Sequence, residues 1–160
     1  MSTNKNITSG SKETRQFPTS AEVVAKAHVN ATGRDRLAEG AKTDPDGFWA
    51  EQAKSLHWFQ SWDTVLDWSN APFAKWFVGG RLNVAYNAVD RHVEAGHGDR
   101  VAIHFEGEPG DTRTITYAQL KDAVSQAANT LLDLGISTGD RVAIYLPMIP
   151  EAIISMLACA

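Results

Sequence analysis

The segment Thr8–Lys12 has the residue types of a loop that could bind phosphate. Its small residues leave backbone N–H groups free to contact an anion, and its lysine adds a positive charge. A phosphate-binding loop of this kind follows a strand and opens a helix. No strand is predicted before residue 8, so we interpret this segment as part of a polar tail rather than as a nucleotide site.

Three histidines, His92, His97 and His104, lie close together in the sequence. Neutral imidazole is a common ligand of zinc. The three residues are predicted on a helix end, a turn and a strand, and no carboxylate pattern accompanies them to orient the rings. We therefore predict ordinary surface or hydrogen-bonded histidines and no metal site.

Cys159 is the single cysteine of the chain, so it cannot form an internal disulfide, which fits a reducing compartment. It follows an apolar run, and we expect its thiol to be buried as a small hydrophobic group rather than to react. The sequence also has no G-x-S-x-G motif for a serine nucleophile. The residue types thus predict no catalytic, cofactor-binding or metal-ligating residue in this chain.

Composition limits the class of protein that these 160 residues can form. The net charge is −4 and 43% of the residues are hydrophobic, which suits a globular domain and gives no electrostatic reason to bind nucleic acid. The apolar stretch 142–160 has the length of a membrane span. Pro147 and Pro150 interrupt it and Glu151 would lie near the bilayer centre, so we interpret it as a strand followed by a helix.

Residues 1–45 differ from the rest of the chain in their lack of core-forming side chains. Phe17 is their only aromatic residue, and they contain almost no Leu or Ile. Such a stretch cannot bury enough apolar surface to offset the entropy of ordering. We predict a mostly disordered lead-in over residues 1–45, with at most a weak helix at Ala21–Lys26.

Residues 46–97 form an aromatic-rich block of short, interrupted elements. A helix is expected to open at Asp46-Gly47, and another at Asn83, which would end at Gly96. Because no continuous amphipathic partner is visible within the block, we predict a helical arm that packs onto another domain. An exposed platform of stacked rings for a ligand is the alternative. The block holds nine of the chain's aromatic residues: Phe48, Trp49, Trp58, Phe59, Trp62, Trp68, Phe73, Trp76 and Phe77.

Residues 98–160 have a regular α/β pattern. Alternation over Val101–Phe105 predicts a half-buried strand, and a turn then leads to a second strand ending at Ile115. Thr116 and Gln119 form a capping box, which opens a helix that ends at Gly135. Its predicted apolar face comprises Leu120, Val124, Ala127, Ala128, Leu131 and Leu134.

After this helix, Ser137–Asp140 is predicted to turn the chain into a wholly apolar strand, Val142–Leu146, of the type buried in parallel sheets. Pro150 then opens a last helix that is apolar on nearly every face and has no terminating signal. We therefore expect an incomplete fold, the first part of a larger domain.

Several blocks resemble, in order, the N-terminal region of AMP-forming acetyl-CoA synthetases and the opening of their adenylation domain. The resemblance covers residues 46–160. The blocks are Phe48-Trp49, Trp68–Phe73, Trp76–Gly80, Leu82–Asn87, Asp90–His92, Val101–Ile103, Glu106–Glu108, Thr116-Tyr117, Gly139–Val142 and Pro147–Glu151.

The resemblance implies a cytoplasmic enzyme that activates acetate with ATP and Mg²⁺ and transfers the acetyl group from an acetyl-adenylate to CoA. It divides the chain into an N-terminal arm (46–97) and the beginning of the AMP-binding domain (98–160). In the family, the catalytic and ligand-binding residues lie further along the sequence than the part that this chain resembles, so the resemblance assigns no such residue here. Propionate as substrate stays open, although Asn83–Asn87 resembles the acetate enzymes. A non-catalytic module that binds a partner through the aromatic arm is the alternative.

Overall fold

The computed structural model describes residues 15–160, which divide after Pro45 into two compact units. In the first unit, α1 (Ala21–Lys26) and α2 (Ala31–Thr43) contain no buried residue. Helix α1 was predicted, and α2 is a further helix that the sequence pattern did not indicate. The Asn30 side chain accepts a hydrogen bond from the Gly33 N–H and caps α2, whose Ala, Arg, Glu and Lys residues favour helix. Disorder of residues 1–45 in solution stays a prediction.

The second unit begins at Asp46, within α3 (Pro45–Ala53), the helix expected near Asp46, and continues into a two-stranded sheet. Strands β1 (Thr64–Asp67) and β2 (Lys75–Val78) pair antiparallel, with Leu66 opposite Trp76. The block predicted as a helical arm therefore also contains a two-stranded sheet. Aromatic and β-branched side chains favour strands, and here they outweigh the interrupted helical pattern.

The helix expected after Asn83 is present over residues 84–97. The Asn83 side chain caps it by accepting a hydrogen bond from the Tyr86 N–H at 2.7 Å. Gly96, with φ of +82°, lies at its end as predicted. Two stretches, Tyr86–Asp90 and Val93–His97, have the wider turns of a π-helix, which the hydrophobic spacing did not indicate.

The predicted hairpin is formed by β3 (Val101–Glu106) and β4 (Thr112–Thr116). A register shift between Val101 and Ile103 interrupts the expected alternation. As a result Val101 is 40% exposed, whereas Ala102, expected on the outer face, packs against the core.

Helix α4 (Tyr117–Asp133) opens with the predicted capping box between Thr116 and Gln119. Leu120 and Val124 of its apolar face are buried, but Leu134, expected on that face, lies beyond the last turn and is exposed. With Val89 and Ile115, Leu120 and Val124 form the core. Helix α5 (Pro150–Ala158) packs against this core through Ile154 and Leu157.

The structure differs most from the sequence prediction at Val142–Leu146, which was predicted as a buried strand. These residues form no strand, and all of them are exposed. Within residues 15–160 no other strand lies alongside this segment, so its backbone has nothing to pair with. The helix that follows begins at Pro150, as predicted. Among the described residues, no helix is long and apolar enough to cross a bilayer.

Candidate functional site

The candidate phosphate and metal sites considered in the sequence do not form in the described part of the chain. Thr8–Lys12 lies outside the described residues. The His92 ring packs against Tyr117 with centroids 5.3 Å apart, and His104 is exposed on β3. Across residues 15–160, no three His, Cys, Asp or Glu side chains are grouped closely enough to hold a metal ion.

A concave surface lies where the end of α4 and the end of α5 meet the segment 136–146. It consists of two adjoining clefts of about 530 and 650 Å³. Their shared lining is apolar: Leu131, Val142, Ile144, Ala158 and Cys159. Cys159 is exposed here, which corrects the prediction that it is buried: it follows the last residue of α5, beside the open cleft.

The charged group at this cleft is Asp140, in the predicted turn after α4. Its Oδ2 accepts hydrogen bonds from the Ser137 N–H at 2.8 Å and from the Ser137 Oγ at 2.9 Å. These two bonds stabilise the carboxylate and hold the pKa of Asp140 below its ordinary value. Because its pKa is lowered, the Asp140 carboxylate is a weak base. Its two hydrogen bonds to Ser137 stabilise the turn.

A second candidate surface is the aromatic block, whose rings pack against one another. Trp58 contacts Trp62 and Phe77 at centroid distances of 4.9 and 5.3 Å, and its indole Nε1 donates to the Ala53 carbonyl at 2.9 Å. Trp49 packs edge-on against Trp76 at 5.9 Å. The rings thus supply the packing partner that sequence reasoning did not find within the block.

Several rings of the block still face solvent. Trp68 and Phe73, in the connection between β1 and β2, are 54% and 73% exposed, and Trp76 on β2 is 46% exposed. Large aromatic side chains left in water mark surfaces that bind another protein surface or a ligand.

Two polar residues of the helical segment 84–97 hold the aromatic block in place, and sequence reasoning missed both. The Asn87 side chain accepts from the His57 N–H at 2.8 Å and donates to the His57 carbonyl at 2.9 Å. The Arg91 guanidinium donates to the Ser55 carbonyl at 2.9 Å. These are bonds between residues 30 or more positions apart, and local patterns carry no signal for them.

The described residues therefore present apolar clefts and exposed rings. Such surfaces suit contact with further polypeptide more than they suit chemistry.

Comparison with known proteins matches residues 35–160 to two adjoining family models. Residues 35–88 match the family model described as acetyl-coenzyme A synthetase N-terminus, and residues 89–160 match that of AMP-binding enzymes. The chain is 62% identical over 157 residues to the acetyl-coenzyme A synthetase of Streptomyces avermitilis, which is 98% of this chain and 24% of the relative. It is 67% identical over 134 residues to the acetyl-coenzyme A synthetase of Mycobacterium tuberculosis, which is 83% of this chain and 20% of the relative. The chain thus spans about a quarter or less of the length of these relatives.

Proposed function

Because this chain belongs to the acetyl-CoA synthetase family and corresponds to the N-terminal part of its members, we propose that it is the N-terminal portion of an AMP-forming acetate–CoA ligase. The observation that carries this proposal is the succession of the two family matches, which adjoin at residues 88 and 89. Identity of 62% over nearly the whole chain supports it.

The proposed ligase makes acetyl-CoA from acetate, ATP and CoA. A carboxylate is a poor acyl donor, and the mixed anhydride with AMP supplies a leaving group that the CoA thiolate can displace. ATP follows from membership of the AMP-binding family, and Mg²⁺ would neutralise phosphate charge during the transfer. Adenylation needs preorganised donors around the reacting phosphate.

We assign the described residues of this chain a scaffolding role in that reaction. The core of Val89, Ile115, Leu120 and Val124 holds the helical segment 84–97, the hairpin and α4 together. The Asn87 and Arg91 hydrogen bonds fix the aromatic block beside them. The catalytic groups are proposed to lie in the remaining part of the ligase, and the exposed rings Trp68, Phe73 and Trp76 to pack against it.

A chimera tests the proposal. This chain replaces the matching quarter of the Streptomyces avermitilis acetyl-coenzyme A synthetase, and acetyl-CoA and AMP are measured with acetate or propionate as substrate. We expect acetate-dependent formation of both products within about tenfold of the parent rate. A chimera that folds with the parent's thermal stability but forms neither product would refute the proposal, and a preference for propionate would reassign the substrate.

A further inference from the structure

Asn83 makes two side-chain hydrogen bonds that run in opposite senses. Its Oδ1 accepts from the Tyr86 N–H at 2.7 Å, and its Nδ2 donates to the Ala160 carbonyl at 2.9 Å. A carboxamide offers an acceptor and a donor side by side, and these two neighbours fix which way it faces. The first bond caps the helical segment 84–97. The second joins this cap to a residue 77 positions further along the chain.

The carbonyl that Asn83 reaches lies just beyond the end of α5. The last carbonyl groups of a helix have no partner within the helix, so other groups or water must satisfy them. Ala160 is exposed, and water can replace the Asn83 amide at its carbonyl. We therefore expect loss of this bond to have little effect on stability, but to remove a contact that fixes the direction of the chain at the end of α5.

The link continues from Asn83 into the aromatic block through Asn87. The Asn87 Nδ2 donates to the Asn83 carbonyl at 3.0 Å and to the His57 carbonyl at 2.9 Å. All three residues lie in the region that matches the acetyl-coenzyme A synthetase N-terminus, whereas Ala160 lies in the region that matches AMP-binding enzymes. The bond from Asn83 to Ala160 therefore connects the two matched regions.

We propose that Asn83 is a positioning residue of the ligase, which holds the end of α5 so that the polypeptide following Ala160 continues in the productive direction. This inference rests on the proposed function, because the relative continues well beyond the quarter of its length that this chain matches. On this account Asn83 acts through the backbone at the end of α5 rather than on substrate. A change of direction there displaces groups carried further along, and a displacement of about 1 Å at the reacting centre can cost about 100-fold in rate.

Asn83→Asp in the chimera described above separates the two bonds. Aspartate caps a helix as well as asparagine does, so the bond from the Tyr86 N–H is kept, but a carboxylate has no N–H to donate to Ala160. We expect kcat for acetyl-CoA formation to fall at least about tenfold, with the KM values for acetate and ATP changed less than about twofold. The thermal midpoint of the chimera should stay within about 2 °C of the parent value, because the cap is intact.

Two further variants isolate the effect of the lost donor. Asn83→Ser keeps a cap without adding charge and is too short to reach Ala160, so it should lower kcat to a similar extent. Asn30→Asp makes the matched change at the N-cap of α2, where the Asn30 Oδ1 accepts from the Gly33 N–H at 2.8 Å. Within residues 15–160 the Asn30 amide nitrogen has no partner, so this variant should keep the parent kcat.

The kinetic pattern separates the outcomes. If Asn83→Asp keeps kcat within about twofold of the parent value, or raises KM alone, the inference is wrong and the proposed function stands. A loss of kcat that accompanies a lower thermal midpoint and vanishes at a lower assay temperature also overturns the inference, because it shows a role in stability only.

A folded parent chimera that forms no acetyl-CoA would refute the proposed function, and amide hydrogen exchange in that protein then decides the inference. The N–H groups of Cys159 and Ala160 donate to carbonyls in the last turn of α5. At least about fivefold faster exchange of both amides in Asn83→Asp than in Asn30→Asp would uphold the inferred contact. Equal exchange in the two variants would overturn it.

Discussion

At the scale of single residues, stability depends on a small core. Val89 is 1% exposed and packs with Ile115 of β4 and with Leu120 and Val124 of α4, so the core joins three elements. A change at Val89 therefore affects the helical segment 84–97, the hairpin and α4 together. The exposed residues of the same segment, such as Val84, have no comparable role.

Placing a carboxylate at Val89 tests this core. Val89→Asp should lower the free energy of unfolding by at least about 3 kcal/mol, because it buries an unpaired charge. Val84→Asp makes the same change on the same segment at a side chain that is 55% exposed, and it should be neutral or slightly stabilising near a helix N-terminus. Urea denaturation of the two variants makes the comparison, and equal losses would contradict the assigned core.

The ion pair between Arg113 of β4 and Glu151 of α5 gives a pH dependence. The Arg113 Nη1 lies 2.6 Å from the Glu151 Oε1, and this hydrogen bond lowers the pKa of Glu151 in the folded chain. The stabilisation is therefore present above the ordinary glutamate pKa of about 4.3 and is lost as pH falls through the lower folded value. Both side chains are nearly half exposed, so screening limits it to less than about 1 kcal/mol.

We expect Glu151→Gln to remove this contribution. The thermal midpoint of the variant should fall less than that of the parent between about pH 5 and pH 3. Glu108→Gln is the matched control, since Glu108 is an exposed residue of the hairpin turn. If the two variants follow the same pH profile, the ion pair has no measurable effect.

At the scale of elements, local signals predicted best where a cap or turn defines an end. Asn83, the Thr116–Gln119 capping box, Gly135 and Pro150 all act as the sequence indicated. These signals work because a cap is a bond between residues about three positions apart. The Asn87 and Arg91 contacts join residues 30 or more positions apart, and so they were missed.

At the segment Val142–Leu146, by contrast, the sequence pattern did not predict the local structure. Its composition indicated a buried strand, but a strand forms only by pairing, and within the described residues it has no partner. For the candidate site, the sequence correctly located the turn Ser137–Asp140 at its edge. It did not predict the clefts, because these arise from the packing of α4 against α5 around an unpaired segment.

The capping box gives a test at this scale. Thr116→Ala should destabilise the chain by about 1 kcal/mol, because it leaves the Gln119 N–H at the start of α4 without its acceptor. Thr130→Ala, in the last turns of the same helix, should be neutral or stabilising because alanine has the higher helix propensity. Urea midpoints measure both, and a neutral Thr116→Ala would show that α4 does not need its cap.

Limited proteolysis tests the exposure of the unpaired segment. Trypsin should cut the isolated chain after Arg141, in the exposed stretch without backbone hydrogen bonds, well before it cuts after Lys121 inside α4. Mass spectrometry of the early fragments gives the order of cleavage. Initial cleavage at Lys121 with Arg141 intact would show that the segment is protected in the isolated chain.

At the scale of the whole molecule, we propose that further polypeptide of the ligase covers the exposed apolar surfaces of this chain. Its apolar clefts, its exposed rings and its unpaired segment all lie in the region matched by the two family models. Within residues 15–160, no three His, Cys, Asp or Glu side chains are grouped closely enough to hold a metal ion. We propose a division of roles, in which this chain supplies the scaffold and the remaining part of the proposed ligase supplies the catalytic groups.

Acetate-dependent ATP–pyrophosphate exchange measures this division most directly, because it reports formation of the acetyl-adenylate alone. We predict background exchange with the isolated chain and no rise in its thermal midpoint with ATP, since the donors that adenylation requires are proposed to lie elsewhere. The chimera with the remaining part of the Streptomyces avermitilis relative is predicted to restore exchange. Exchange by the isolated chain, or none by a folded chimera, would contradict the account.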